Sequence, residues 1–163
     1  MKLFKTLTMT VNGGEVSIPV DERESLADAL RNRLGLTSVK KGCEVGECGA
    51  CTVLIDGEAV DTCIYLAVWA EGKHILTVEG LKSPTGELHP VQQAFVDEAA
   101  AQCGFCTPGL IMTAVEIVGT NKRYSREELR KLISGHLCRC TGYESILNAM
   151  ERIVEETYRH VGK

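Results

Sequence analysis

Eight cysteines in a chain of 163 residues, grouped as two sets of four, constrain this sequence more than any other feature. The first set is Cys43, Cys48, Cys51 and Cys63, and the second is Cys103, Cys106, Cys138 and Cys140. Disulfide-held scaffolds carry cysteine at roughly 8–10% of composition, about twice the density found here. The N-terminus, MKLFKTLTMTVNGGEVSIPV, alternates apolar and polar residues, presents no continuous signal-peptide core and has no twin-Arg pair. The expected compartment is therefore the reducing cytoplasm, where thiols serve as metal ligands or redox groups rather than as structural disulfides.

Spacing sharpens the first set. Cys43-x4-Cys48-x2-Cys51 followed by a distant Cys63 is the plant-type [2Fe–2S] ligand pattern, whereas zinc loops pair their ligands as C-x2-4-C twice. A cluster bound by four thiolates is anionic, so backbone N–H groups must converge on its sulfurs. Glycine permits that close approach and the positive φ it needs. Gly42, Gly46 and Gly49 interleave with the three clustered cysteines and are the expected cluster-loop residues.

The second set, Cys103-x2-Cys106 with Cys138-x-Cys140, is ambiguous by spacing, and a four-cysteine zinc site stays open. A thioredoxin-type pair lacks its βαβ context. Each cysteine pair stands just before a predicted helix, one opening at Pro108 and one near Tyr143. Two positive helix ends aimed at one site favour an anionic cluster.

The first half reads as a small mixed sheet. Leu7, Met9 and Val11 alternate, Asn12-Gly13-Gly14 turns, and Val16, Ile18 and Val20 alternate again. Leu26, Leu30 and Leu34 share a helical face, with Ser25 or Asp21 as N-cap and Gly35 as the stop. Thr52 to Ile55 predicts a strand, Asp56-Gly57 a turn, Ala59-Val60 the return, Ile64 to Ala70 a short buried helix, and Ile75 to Val78 a last strand. That order is the one of a ubiquitin-like β-grasp. Residues 81–89 are Gly-, Pro-, Ser- and charge-rich and form the expected linker between a first domain, 1–80, and a second, 90–163. Helices are predicted over Val91 to Ala101, from Thr107-Pro108 to Val118, from the Ser125–Glu128 capping box to Gly135, and along Ile146, Leu147, Met150, Ile153 and Val154.

A net charge of −4 and an aromatic content of 5% give no basis for nucleic-acid binding. The longest apolar run, Cys63 to Ala70, is far short of the ~20 residues that span a membrane. No phosphate loop, H-E-x-x-H or dinucleotide fingerprint occurs, and no nucleophile stands beside a base. The four histidines, His74, His89, His136 and His160, occur singly, and only His136, close to Cys138, is placed to touch a cluster. Glu44 and Glu47 are expected to face solvent or a partner.

The segments GCEVGECGACTV (Gly42 to Val53), QCGFCTPG (Gln102 to Gly109) and GHLCRCTGY (Gly135 to Tyr143) resemble the small iron–sulfur subunit of the xanthine dehydrogenase/aldehyde oxidase family of molybdenum hydroxylases. The resemblance implies an α+β chain: a ferredoxin-like β-grasp domain with one [2Fe–2S] cluster, then a four-helix-bundle domain with a second, ligated by Cys103, Cys106, Cys138 and Cys140. It also implies a large partner subunit carrying a molybdenum–pterin cofactor and a third carrying FAD, in a heterotrimer or its dimer. Electrons would pass from molybdenum through the helical-domain cluster to the sheet-domain cluster and on to FAD. Gln102 and Cys140 match the positions that lie beside the pterin in relatives. The chain ends soon after its fourth predicted helix, so FAD is expected on a separate polypeptide. The stretch from Cys43 to Lys73 looks most like bacterial xanthine dehydrogenases, while nicotinate-type, aldehyde, carbon monoxide and aromatic-CoA systems use similar subunits. Two other classes remain as contrasts, a zinc-stabilised interaction module and a free-standing ferredoxin.

Overall fold

The computed structural model describes residues 4–161. Strands β1 (Phe4–Val11) and β2 (Gly14–Asp21) pair antiparallel, with Val11 opposite Gly14. Asn12 and Gly13 form the two-residue loop at φ 51° and 82°, positive at both positions as a type I′ turn requires. Period-2 alternation turns Leu7, Met9, Val11, Ile18 and Val20 inward. Ser25, not Asp21, caps the next helix, its hydroxyl accepting the Asp28 N–H at 3.1 Å. Helix α1 is brief (Leu26–Asp28) and widens into a single π-type turn, Ala29–Arg33, that buries Leu26 and Leu30.

Strands β3 (Thr52–Ile55) and β4 (Glu58–Asp61) form a second hairpin about Asp56-Gly57. Strand β5 (His74–Leu76) inserts between the hairpins, parallel to β1 and antiparallel to β3, giving the order β2-β1-β5-β3-β4. Two elements differ from expectation. The helix predicted from Ile64 shrinks to a 3₁₀ turn, Ala67–Ala70, with Ile64 60% exposed. Its backbone is already committed to the segment before α1: Leu26 N–H bonds the Tyr65 C=O and Ala67 N–H bonds the Glu24 C=O. The last strand stops at Leu76 because Thr77 donates its N–H to the Asn12 side chain at 2.9 Å and leaves the ladder.

Beyond residue 90 the described residues form four helices on one apolar core, and no strand. Helix α2 (Pro90–Asp97) is capped by the His89 ring and ends before the predicted Ala101: Ala99 is left-handed at φ 50° and Ala100 N–H returns to the Phe95 C=O. Helix α3 (Thr107–Gly119) has Cys106 as its cap, whereas the Thr107 hydroxyl is buried without a partner and does not cap. Helix α4 (Arg126–Leu132) opens on the predicted Ser125–Glu128 capping box and stops short of Gly135. Helix α5 (Glu144–Val161) completes the set. Phe95, Leu110, Leu129, Ile146, Leu147 and Met150 meet in the helical core, and Leu7, Met9, Val20, Leu26, Leu30 and Val53 in the sheet core.

The two cores join where α3 lies on β3 and β4. Glu116 on α3 accepts the Ala59 N–H of the edge strand β4 at 2.8 Å. Gly109 in its first turn lies so close to the Gly49 backbone that a Cβ would overlap the Gly49 carbonyl. None of the described helices is long and apolar enough to cross a membrane. Gly109→Ala should therefore destabilise the chain by about 1–3 kcal/mol through overpacking. Gly119→Ala, with open space around it, should be neutral or stabilising by up to about 1 kcal/mol. Thermal denaturation of the two variants measures the contrast.

Candidate metal centres

Between the α1 region and β3 the chain runs without regular structure, closed at its base by Lys40 N–H to the Ala50 C=O. Glu44, Gly46 and Gly49 take positive φ (59°, 77° and 66°). These bends aim Val45 N–H and Glu47 N–H at the Cys43 sulfur, at 3.5 and 3.3 Å. The two donors, with a hydrogen bond to Cys48, bring the Cys43 thiol down to about 6. A Cβ on Gly42 would stand 2.9 Å from the Cys48 sulfur, and one on Gly46 2.8 Å from Ile64. Glu44 is exposed and pairs with Lys41. Cys51 is buried, and burial beside Cys63 pushes its thiol up to about 12. Thr62 fixes this end by donating its hydroxyl to the Cys51 C=O at 2.7 Å.

The second set gathers from two loops. Cys106 sits at the mouth of α3 and meets Cys138, while Cys103 meets Cys140. Burial pushes Cys106 up to about 12. At Cys138 burial acts upward too, but the Thr141 hydroxyl (3.1 Å) and neighbouring amides outweigh it and hold the thiol at about 7. Tyr143 staples the loop: its hydroxyl accepts the Cys138 N–H at 2.8 Å and donates to the His136 C=O at 3.1 Å. Gln102, Cys103 and Cys140 are exposed, flanked by exposed Phe105 and Leu137.

The thiols thus pair two by two: Cys43 with Cys48, Cys51 with Cys63, Cys103 with Cys140, and Cys106 with Cys138. Among the described residues no three His, Cys, Asp or Glu side chains converge on one point, as a single ion would need. A diiron cluster needs the paired arrangement instead, two thiolates for each iron. The residues present fit such a group in both halves.

Of the histidines, His74 lies in β5 and His89 caps α2, neither near a thiol set. The His160 side chain lies outside the described residues. His136 is buried between the two sets, its Nε2 2.7 Å from the Thr113 hydroxyl, and burial lowers its basicity. Sequence reasoning missed the roles of Tyr143, Thr62, Thr113 and Gly109: the last three act on partners eleven or more residues away, while Tyr143 and Gly109 carried a local signal as members of the GHLCRCTGY and QCGFCTPG segments.

The family described as "2Fe-2S iron-sulfur cluster binding domain" matches residues 9–75, and the "[2Fe-2S] binding domain" family matches residues 77–151. The xanthine dehydrogenase iron-sulfur-binding subunit of Escherichia coli O157:H7 is 50% identical over 147 residues, covering 89% of this chain and 91% of that protein. The nicotine 6-hydroxylase small subunit of Paenarthrobacter nicotinovorans is 49% identical, with 88% and 86% covered. The crystal structure of quinoline 2-oxidoreductase from Pseudomonas putida 86 superposes with a TM-score of 0.91 at 46% identity, over 96% of this chain and 97% of that one. The chain belongs to the iron–sulfur subunits of the molybdenum hydroxylases. It is an α+β member of that family with two [2Fe–2S]-binding domains, and the zinc alternative for the second set falls away with the match over 77–151.

In this iron–sulfur subunit, Tyr143→Phe should strand a backbone N–H and a C=O beside Cys138. The expected loss is about 1–3 kcal/mol of stability, the cost of leaving buried polar groups unpaired. Thermal denaturation of the cluster-loaded chain reads it, and a Tyr143→Phe variant as stable as the parent would remove the staple role.

Proposed function

We propose that this subunit carries electrons from a molybdenum–pterin centre on a large partner subunit, through its helical half and then its sheet half, to FAD on a third subunit. The observation that carries this reading is the two-by-two pairing of all eight thiols within two sets of four. Bound [2Fe–2S] clusters would supply a one-electron carrier at each set. Cys43 and Cys48 would hold one iron of the first and Cys51 and Cys63 the other; Cys103 with Cys140, and Cys106 with Cys138, would hold the second. Gly42, Gly46 and Gly49 keep the first loop close to its sulfurs. Gln102 and Cys140 would face the pterin, a role supported by their exposure beside Phe105 and Leu137. With every coordination position taken by thiolate or sulfide, this chain offers no substrate site.

In this reading the chain divides into a ferredoxin-like β-grasp domain (1–80), a linker (81–89) and a four-helix bundle (90–163), and works in the cytoplasm within a heterotrimer or its dimer. Xanthine or another purine is the first-choice substrate class of the complex. Relatives named for xanthine and for nicotine are nearly equal in identity, so the large subunit must decide between them.

Iron and sulfide analysis with EPR of the dithionite-reduced chain tests the assignment. About four irons and four sulfides with two distinct signals are expected. Cys51→Ala and Cys106→Ala should each remove a different signal and about two irons. In the assembled complex Cys51→Ala should block FAD reduction while substrate still reduces molybdenum. Normal flavin reduction in that variant would refute the path.

A further inference from the structure

The two thiol loops touch each other through the backbone. Leu137 donates its N–H to the C=O of Cys48 at 3.1 Å, and the next residue is Cys138. One hydrogen bond and one intervening residue therefore separate a cysteine of the first set from a cysteine of the second. The Leu137 side chain cannot hold this contact, since it is 61% exposed. Its neighbour His136 is 6% exposed and is fixed on several sides. The ring Nε2 shares a proton with the Thr113 hydroxyl on α3 at 2.7 Å. The ring lies flush on Gly49, where any Cβ would collide with Nδ1, and Nδ1 itself has no partner of hydrogen-bonding geometry. The His136 N–H bonds the Ile133 C=O, and its C=O takes the Tyr143 hydroxyl.

We propose that His136 is a positioning residue for electron transfer between the two clusters: anchored by Thr113 and seated on Gly49, it keeps the Leu137 N–H on the Cys48 C=O. This rests on the ligand assignment proposed above. Electronic coupling is stronger across a hydrogen bond than across an open van der Waals gap, so the contact sets the exchange between the halves. Packing of α3 on β3 fixes the halves only coarsely, because the Cys48 and Leu137 segments are loops with no ladder of their own. Among the described residues the Thr113–His136 bond is the one side-chain hydrogen bond between α3 and the Cys138 loop, and it transfers the rigidity of the helix to the loop.

Thr113→Val deletes the hydroxyl at similar size, and Thr113→Ser retains it. The cluster-loaded full chain is compared for iron content, hydrogen exchange at the Leu137 amide, and the magnetic splitting between the two reduced EPR signals. In Thr113→Val, iron should stay at the parent value while the Leu137 amide loses protection and the splitting shifts. Thr113→Ser should restore both. A splitting that stays unchanged when protection is lost, or no change in either, would overturn the proposal. If Thr113→Val does not fold, His136→Gln and His136→Asn read the same contact from the other side. Gln reaches Thr113 and should keep protection and splitting, and Asn is too short and should lose both; equal behaviour of the two would overturn the positioning role. Fewer than four irons in the unsubstituted chain would instead remove the ligand assignment, and the proposal with it.

Discussion

A thiolate cluster must be surrounded by backbone N–H groups, and backbone inside helices or sheets has none to spare, so irregular loops and the first turns of helices must supply them. That constraint organises the whole chain. The first thiol loop is irregular because its amides at Val45 and Glu47 are turned toward the Cys43 sulfur rather than into a ladder. An irregular loop cannot hold its own shape, so it is pinned at each end by regular structure. Arg31, in the turn after α1, donates to the Thr37 and Val39 carbonyls, Glu79 accepts from Ser38, and Thr62 holds Cys51. The sheet and α1 are, in this sense, a frame for about a dozen residues of loop.

The helical half meets the same requirement differently. Cys106 is placed by the start of α3, and Cys138 by a tyrosine just before α5 that saturates the loop backbone. Its thiols are also split by exposure, with Cys106 buried and Cys103 and Cys140 open to solvent. An electron carrier needs one face near a partner and the rest shielded, and this gradient provides both. The sheet set is more enclosed, with Cys51 buried and its companions half-buried.

Much of this was legible along the chain because it depends on neighbours in sequence. Cysteine spacing, interleaved glycines, alternating strands, I′ turn residues and the Ser125 capping box are all local codes, and each appears where expected. Two of the misreadings share one cause, competition from a partner distant in sequence. The Ile64–Ala70 segment has helical apolar spacing, yet its amides and carbonyls pair with Glu24 and Leu26. The strand after Ile75 is ended by Asn12, more than sixty residues earlier. Helix α2 ends early because Ala99 adopts a left-handed conformation that alanine spacing does not announce.

The sequence by itself determined the two four-cysteine sets, the glycines interleaved with the first, the order of elements and, through three motifs, the family. Those are properties of spacing and residue type, which survive without knowledge of the rest of the molecule. Only the tertiary structure decided which thiol meets which, that the Cys48 and Leu137 backbones bond to each other, and that His136, already singled out by its place beside Cys138, is buried against both Gly49 and Thr113. The last two facts depend on α3 settling onto β3 at a glycine-to-glycine contact between Gly109 and Gly49. Close approach of two backbones is a relation between surfaces, and no local pattern in either segment encodes its partner.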